Sequence, residues 1–206
     1  MKKVLFIALT LFLILDVFSQ SSVSEEVNFR FKNRKNSGYY NITQFGLLMG
    51  NQSNPNPNFY DNNNEFQISP SVTMINGNMS EEGWGAGVGV GFEIFDRNLF
   101  PVFADIRHVL WDNKVSPFFA FKIGHAFSGY KKRDNNTYYK KNGGFMLNPE
   151  MGVKTPLSEN ADLLFTVAYR YQKTKSTVSQ NFGQNYTWEH KISMNRLSFG
   201  VAIMFR

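Results

Sequence analysis

The stretch WGAGVGVGFEI, residues 84–94, decides the fold, because its side chains alternate strictly between two kinds. Trp84, Val88 and Phe92 belong to a row of apolar residues at every second position, and the residues between them are glycines up to Glu93. Successive side chains of an extended strand point to opposite faces, so this alternation predicts a β-strand with one apolar face. A helix would space the apolar residues three or four positions apart, which this stretch does not do.

The same alternation recurs in further segments after Gly38. Phe66, Ile68 and Val72 share one face of residues 65–75, and polar side chains share the other. The 7 prolines and 16 glycines of the chain also disfavour long helices. Eight extended segments are predicted, at residues 39–49, 65–75, 84–95, 99–110, 116–127, 143–154, 161–174 and 191–206.

The lengths of these segments and of their connections favour a membrane barrel. About eleven residues with a rise of ~3.3 Å each, tilted by about 40°, reach a height of about 27 Å, close to the thickness of a hydrocarbon core. Long external loops and short periplasmic turns are typical of outer-membrane barrels. The predicted external connections are 50–64, 96–98, 128–142 and 175–190, and the predicted periplasmic ones are 76–83, 111–115 and 155–160. The predicted fold class is therefore all-β, an up-and-down antiparallel transmembrane β-barrel of about eight strands.

The last segment, RLSFGVAIMFR at residues 196–206, carries the most specific motif. Apolar residues at alternate positions lead to a final aromatic residue, which resembles the C-terminal signal that the barrel-assembly machinery reads. With it, residues 39–206 resemble the small eight-stranded outer-membrane barrels of the OmpA transmembrane-domain and OmpX type. The resemblance implies an outer-membrane location, although here Arg206 follows the aromatic residue. The implied assembly signal consists of Leu197, Phe199, Val201, Ile203 and Phe205.

The N-terminal residues have the pattern of a secretory signal peptide. Lys2 and Lys3 precede an apolar run that ends at Leu15, too short to span a bilayer, and cleavage is expected near Ser19. Apolar and polar residues also alternate in residues 27–32, so an additional short strand there is an alternative that the sequence does not decide. The predicted domains are a signal peptide at 1–19, a periplasmic lead-in at 20–38 and the outer-membrane barrel at 39–206.

Composition narrows the possible partners. The chain has no cysteine, so disulfides cannot stabilise it after export. A net charge of +6 over 206 residues permits contact with anionic lipid or polysaccharide but does not indicate nucleic-acid binding. The expected partners are outer-membrane lipid, lipopolysaccharide and the assembly machinery, and an external protein partner stays unknown.

Charged residues recur on the faces opposite the apolar rows, so we expect them to point into the barrel. Eight strands enclose a lumen that side chains can fill, and charges inside it must pair or hold water. A charge network that plugs the lumen is therefore predicted. Its members are Glu93, Asp105, Arg107, Lys122, Glu150, Lys154, Arg170 and Arg196.

The third predicted external loop is strongly basic. Its cations suit the phosphates of lipopolysaccharide, although a solvated loop would have the same composition. The candidate lipid-contacting residues are Lys131, Lys132, Arg133, Lys140 and Lys141.

Catalytic and metal sites find little support. Of His108, His125 and His190, the first two lie at opposite ends of two neighbouring predicted strands and cannot meet. Because the chain also has no cysteine, neither a metal nor another cofactor is expected. Lipid A deacylases of this fold carry His and Ser two residues apart on one face. Here Ser128 lies three residues after His125, which places the two on opposite faces of a strand.

These observations predict a non-enzymatic barrel with a filled lumen and a structural or surface-interaction role through its external loops. A narrow channel for small solutes is the alternative, and it would require a continuous wet path past the inward charges. A lipid A-modifying enzyme and a soluble lipocalin-like barrel are further alternatives. The lipocalin-like barrel would place the apolar rows of side chains in its interior and expose the charged rows to water.

Overall fold

A computed structural model describes residues 37–53, 66–94, 98–110, 115–128, 131–134, 137–181 and 185–206. These residues form ten strands, and none of the described elements is a helix long and apolar enough to cross a membrane. The predicted signal peptide, the lead-in up to residue 36 and the possible strand at 27–32 lie outside the described residues. The strands are β1 (Gly38–Ser53), β2 (Phe66–Met79), β3 (Trp84–Glu93), β4 (Leu99–Val109), β5 (Ser116–Ser128), β6 (Lys131–Asp134), β7 (Thr137–Asn142), β8 (Gly144–Pro156), β9 (Ala161–Asn181) and β10 (Asn185–Phe205).

Eight of these strands close into an antiparallel barrel. In the order β1, β2, β3, β4, β5, β8, β9, β10, each strand pairs with the one that follows it, and β10 also pairs with β1. Closure satisfies the backbone hydrogen-bonding groups of both end strands, as a membrane interior requires. The prediction of an all-β, eight-stranded, up-and-down barrel is confirmed.

The register sets the tilt of the barrel strands. A line of directly paired residues that leaves β1 at Asn41 returns to β1 at Asn51, which is 51 − 41 = 10 residues further along. A stagger of ten residues over eight strands corresponds to a tilt of about 40°. The paired residues between these two ends are Asn76, Val88, Ala104, Ile123, Leu147, Tyr171 and Asn195.

Each predicted segment corresponds to one barrel strand, but two predicted loops were wrong. Residues 128–142 contain β6 and β7, and residues 175–190 contain the outer parts of β9 and β10. These stretches are dominated by polar residues, so they lack the long apolar alternation that identifies a strand in sequence. Backbone pairing between neighbouring strands needs no apolar face once the barrel below has set the register.

The outer wall of the barrel is apolar. Phe45, Val88 and Val201 are between 45% and 67% exposed, although they are large hydrophobic residues. Such an exterior is the expected surface for contact with lipid tails. The soluble lipocalin-like alternative is wrong, because it requires these rows to face the lumen.

Gly89 leaves room in the lumen for an aromatic side chain. It pairs with Phe103 on β4, and a Cβ atom at Gly89 would lie 2.5 Å from the Phe103 ring. Ala86 lies on the same strand but is exposed on the outer face.

We expect Gly89→Val to destabilise the folded barrel by about 1–3 kcal/mol, because the added atoms overpack the lumen against Phe103. Urea unfolding of protein refolded in lipid vesicles measures this change. Ala86→Val, which adds the same kind of bulk on the lipid side, should leave the free energy of unfolding nearly unchanged. Equal effects of both substitutions would contradict the packing explanation.

Candidate functional site

The candidate site is the interior of the barrel, where charged side chains from most strands come together. All eight residues of the expected charge network are buried, none more than 5% exposed. Each lies at an alternate position whose neighbours on the same strand face outward, as the sequence pattern required. Seven of the eight charges occupy three successive levels of the lumen, defined below as the upper, middle and lower tiers. Lys154 lies near the turn end of β8, opposite Ser116 at the start of β5.

The upper tier joins two arginines to one carboxylate. Arg170 of β9 forms an ion pair with Glu93 of β3, and Arg196 Nη2 lies 3.2 Å from Glu93 Oε2. Arg196 also donates a hydrogen bond to the side-chain oxygen of Gln172. Glu93 is completely buried, so it is the counter-charge that both guanidinium groups share.

The middle tier is a closed set of hydrogen bonds around a second ion pair. Lys122 Nζ lies 2.6 Å from Glu150 Oε2 and donates to Gln44 Oε1 at 2.8 Å. The amide nitrogen of Gln44 in turn donates to Glu150 at 3.1 Å and to Thr166 at 2.9 Å. Gln44 therefore links the cation to the anion from the opposite wall of the barrel.

The lower tier lies nearest the short turns. Arg107 makes two hydrogen bonds to Asp105, two residues away on β4, at 2.7 and 3.0 Å. Its guanidinium carbon lies 5.5 Å from the centre of the Tyr40 ring and 5.9 Å from that of Phe118. Cation–π contact with two aromatic rings adds to the bidentate ion pair.

An apolar cluster accompanies these tiers, and the sequence pattern did not predict it. Tyr40, Ile42, Phe118 and Met204 are at most 2% exposed and belong to one group of buried hydrophobic residues. These side chains fill lumen space that would otherwise hold water. The interior is therefore partly a hydrophobic core and not a purely polar network.

Some polar members of the interior were also missed. Gln44 and Gln172 are 7% and 0% exposed and bridge the charges named above. Asp162 is fully buried at the turn end of β9, and its carboxylate lies 2.9 Å from Arg206 Nη2. Inward positions of β1 and β9 could have revealed the two glutamines, since each follows the alternation of its strand.

His108 and His125 do not form a site. The His108 ring stacks on Trp84, with ring centres 4.3 Å apart, and His125 lies on the outer face beside Phe127. Ser128 occupies the opposite set of alternate positions on β5, so His125 and Ser128 do not form a catalytic pair. Within the described residues, no group of three metal-binding side chains comes together.

The two remaining groups of candidate residues lie on the outside of the barrel and above it. Lys131, Lys132 and Arg133 belong to β6, and Lys140 and Lys141 belong to β7, so the basic segment is a paired hairpin. The residues of the expected assembly signal line the outer, lipid-facing positions of β10; its recognition stays a prediction. Four of its five members are at least 43% exposed: Leu197, Phe199, Val201 and Phe205.

Comparison with solved structures shows the fold of the chain. The outer membrane protein OprG from Pseudomonas aeruginosa covers 82% of this chain with 95% of its own, at 10% identity and a TM-score of 0.50. Neisserial surface protein A covers 81% with 96% of its own, at 15% identity and a TM-score of 0.50. The outer membrane protein AlkL covers 84% with 92% of its own, at 11% identity and a TM-score of 0.52. No protein-family model and no curated protein matches the sequence.

These similarities, together with the apolar exterior and the closed ladder of strands, show a small outer-membrane β-barrel fold. The predicted resemblance to this class and the predicted outer-membrane location are therefore confirmed.

We expect Glu93→Gln to destabilise the barrel by about 3–5 kcal/mol, because two buried guanidinium groups lose the carboxylate that they share. Urea unfolding in lipid vesicles measures the effect. Glu82→Gln removes the same charge from an exposed turn and serves as the control. If both variants unfold at the same urea concentration, the upper tier contributes nothing to stability.

Proposed function

We propose that this protein is a non-enzymatic outer-membrane barrel whose lumen is closed to solutes and which acts as a structural or surface-interaction protein. The observation that carries the proposal is that two tiers of side chains join opposite walls of the barrel.

The middle tier reaches across the full width of the lumen. β1 and β5 are the first and fifth of the eight barrel strands, so they lie opposite each other. The hydrogen bond of 2.8 Å from Lys122 to Gln44 joins these two walls. A solute on the barrel axis would have to break this bond and the adjoining ion pair to Glu150.

The upper tier reaches across in a different direction. Glu93 lies on β3, the third barrel strand, and Arg170 lies on β9, the seventh, which is again directly opposite. Two crossing contacts at different heights leave less room than either one alone. Buried charges that lose a partner are unstable, so neither tier opens without a large cost in free energy.

The absence of a His–Ser pair on a shared face of β5 supports the non-enzymatic part of the proposal. A nucleophile needs a base within hydrogen-bonding distance, and the alternation of strand positions separates these two side chains.

The narrow solute channel is the second candidate function. One feature favours it: within the described part of the chain, Arg170 and Arg196 both form ion pairs with Glu93, so two guanidinium groups meet at this level of the lumen. A channel through this tier would prefer anions.

The external surface is the part of the barrel left for interactions, and we propose anionic outer-leaflet lipid as its partner. The basic hairpin of β6 and β7 supports this choice of partner.

Conductance of the refolded protein in a planar bilayer tests the closed lumen. We expect no steady conductance from the natural sequence. Joint substitution of Gln44, Lys122, Glu150, Glu93, Arg170 and Arg196 by alanine removes both crossing tiers with their charges, and we expect single-channel steps from this variant once the shift of its folded band on boiling shows that it folds.

Phe121→Ala, on the lipid-facing side next to Lys122, is the matched control and should stay silent. Stable, anion-selective steps from the natural sequence would overturn the proposal and establish the channel instead.

A further inference from the structure

Strands β6, β7, β9 and β10 continue beyond the barrel as a four-stranded sheet. β6 pairs with β7, β7 pairs with β9 over residues 175–180, and β9 pairs with β10 up to Asn181 opposite Asn185. We call this part, residues 131–134, 137–142, 173–181 and 185–193, the external sheet.

Lysines oppose lysines at two places in the external sheet. Lys131 is directly paired with Lys140, and Lys175 is directly paired with Lys191. Like charges at directly opposite positions destabilise an antiparallel pair. Neither pair gains from its direct cross-strand partner, so a negatively charged group bound at either pair would stabilise it.

The two lysine pairs lie in neighbouring rows of the same set of alternate positions. Lys140 is paired with Thr177 on β9, and Lys175 lies two residues before Thr177. Positions two residues apart on a strand share a face, and directly paired positions share it too. The register thus places 131, 140, 175 and 191 on one face of the external sheet.

That face continues the lipid-facing wall of the barrel. Along β9, Phe165, Val167 and Tyr169 are exposed on the outer wall, and the exposed residues Lys173 and Lys175 follow at the same alternation. The outer row of one strand therefore passes from apolar residues to lysines, as expected where hydrocarbon gives way to lipid headgroups. We call Lys131, Lys140, Lys173, Lys175 and Lys191 the lysine face.

We propose that the lysine face binds the phosphate groups of an anionic glycolipid in the outer leaflet, with at least two phosphates engaged at once. The two opposed pairs are separated by one diagonal step of the sheet, so a headgroup with two phosphates can serve both. Glu189 is the one acidic position in the described rows of this face; it is paired with Thr177 and lies two residues before Lys191, so five lysines share this face with a single carboxylate. The inference deepens the proposed surface role and rests on it.

Lys132 and Lys141 belong to the alternate rows. Lys132 is paired with Tyr139, and Lys141 is paired with Ser176. Ser176 lies between Lys175 and Thr177, so it faces the other side of the sheet from these two residues. The five basic residues of this hairpin therefore divide by register: Lys131, Arg133 and Lys140 share the lipid-side rows, and the other two do not. This division supplies a control of equal charge within the same hairpin.

Equilibrium binding of fluorescent lipid A with two phosphates to the full-length folded protein in neutral detergent tests the proposal. We compare Lys131→Gln with Lys140→Gln, Lys175→Gln with Lys191→Gln, and the control Lys132→Gln with Lys141→Gln, each as a double variant. A lysine near an anionic lipid surface contributes about five-fold in affinity, so each lysine-face pair should weaken binding by about 25-fold. The control pair should change it by less than about three-fold, and the shift of the folded band on boiling confirms that each variant is folded.

A second readout separates lipid binding from a general loss of stability. In detergent without lipid A, Lys140→Gln relieves repulsion with Lys131, so its unfolding temperature should not fall. With lipid A present, the same substitution should lower the unfolding temperature relative to the natural sequence. A fall under both conditions would indicate a structural lysine and overturn the proposal.

Equal losses from all three double variants, or equal binding of dephosphorylated lipid A, would also overturn it. None of these substitutions touches the lumen tiers. A conducting barrel that still binds through the lysine face would therefore refute the closed lumen and leave this inference standing.

Discussion

Closure of the strand ladder between β1 and β10 is the constraint on which the other features of this protein depend. In hydrocarbon an unpaired backbone N–H or C=O group costs several kcal/mol, so an open sheet edge is not viable there. The ladder from Asn41 opposite Phe205 up to Ser53 opposite Ser193 removes both edges. Once it has formed, eight strands and a stagger of ten residues fix how wide the lumen is and which residues face each other across it.

The lumen that results is narrow, and its contents follow from that width. Ion pairs such as Glu93 with Arg170 can form between opposite walls because the walls are close enough for side chains to meet. Where Phe103 points inward, the paired position on β3 is the glycine Gly89. Oppositely charged side chains therefore face each other, and a large ring lies opposite a glycine. Together these side chains fill the interior and close it.

Much of this could be predicted from the sequence, since strand alternation is a local property. Apolar rows such as Val88 and Val90 identified the lipid side, and the opposite rows then placed Glu93 and Arg170 inside. The partners of these charges could not be predicted, because Glu93 and Arg170 lie 77 residues apart (170 − 93 = 77) and meet only through the stagger of the closed barrel.

Other features have no local signal at all. Ile42 and Met204 face the lumen although they are apolar, which breaks the rule of polar residues inside that serves for the rest of the barrel. β6 and β7 carry polar residues on both faces, so their pairing was invisible in the sequence. The division of the basic hairpin into lipid-side and opposite rows likewise required the register with β9.

Accessibility of single cysteines in the lumen tests the central claim of a sealed interior most directly, and the absence of natural cysteines makes each introduced thiol unique. Thr73→Cys and Ser198→Cys place thiols inside the barrel, and Ser158→Cys places one on an exposed turn. In sealed vesicles we expect a small charged thiol reagent to modify the turn position rapidly and both interior positions very slowly from either side. Removal of both crossing tiers should make the interior thiols reactive. Rapid modification of both interior positions in the natural background, at rates close to that of the turn, would contradict a closed lumen.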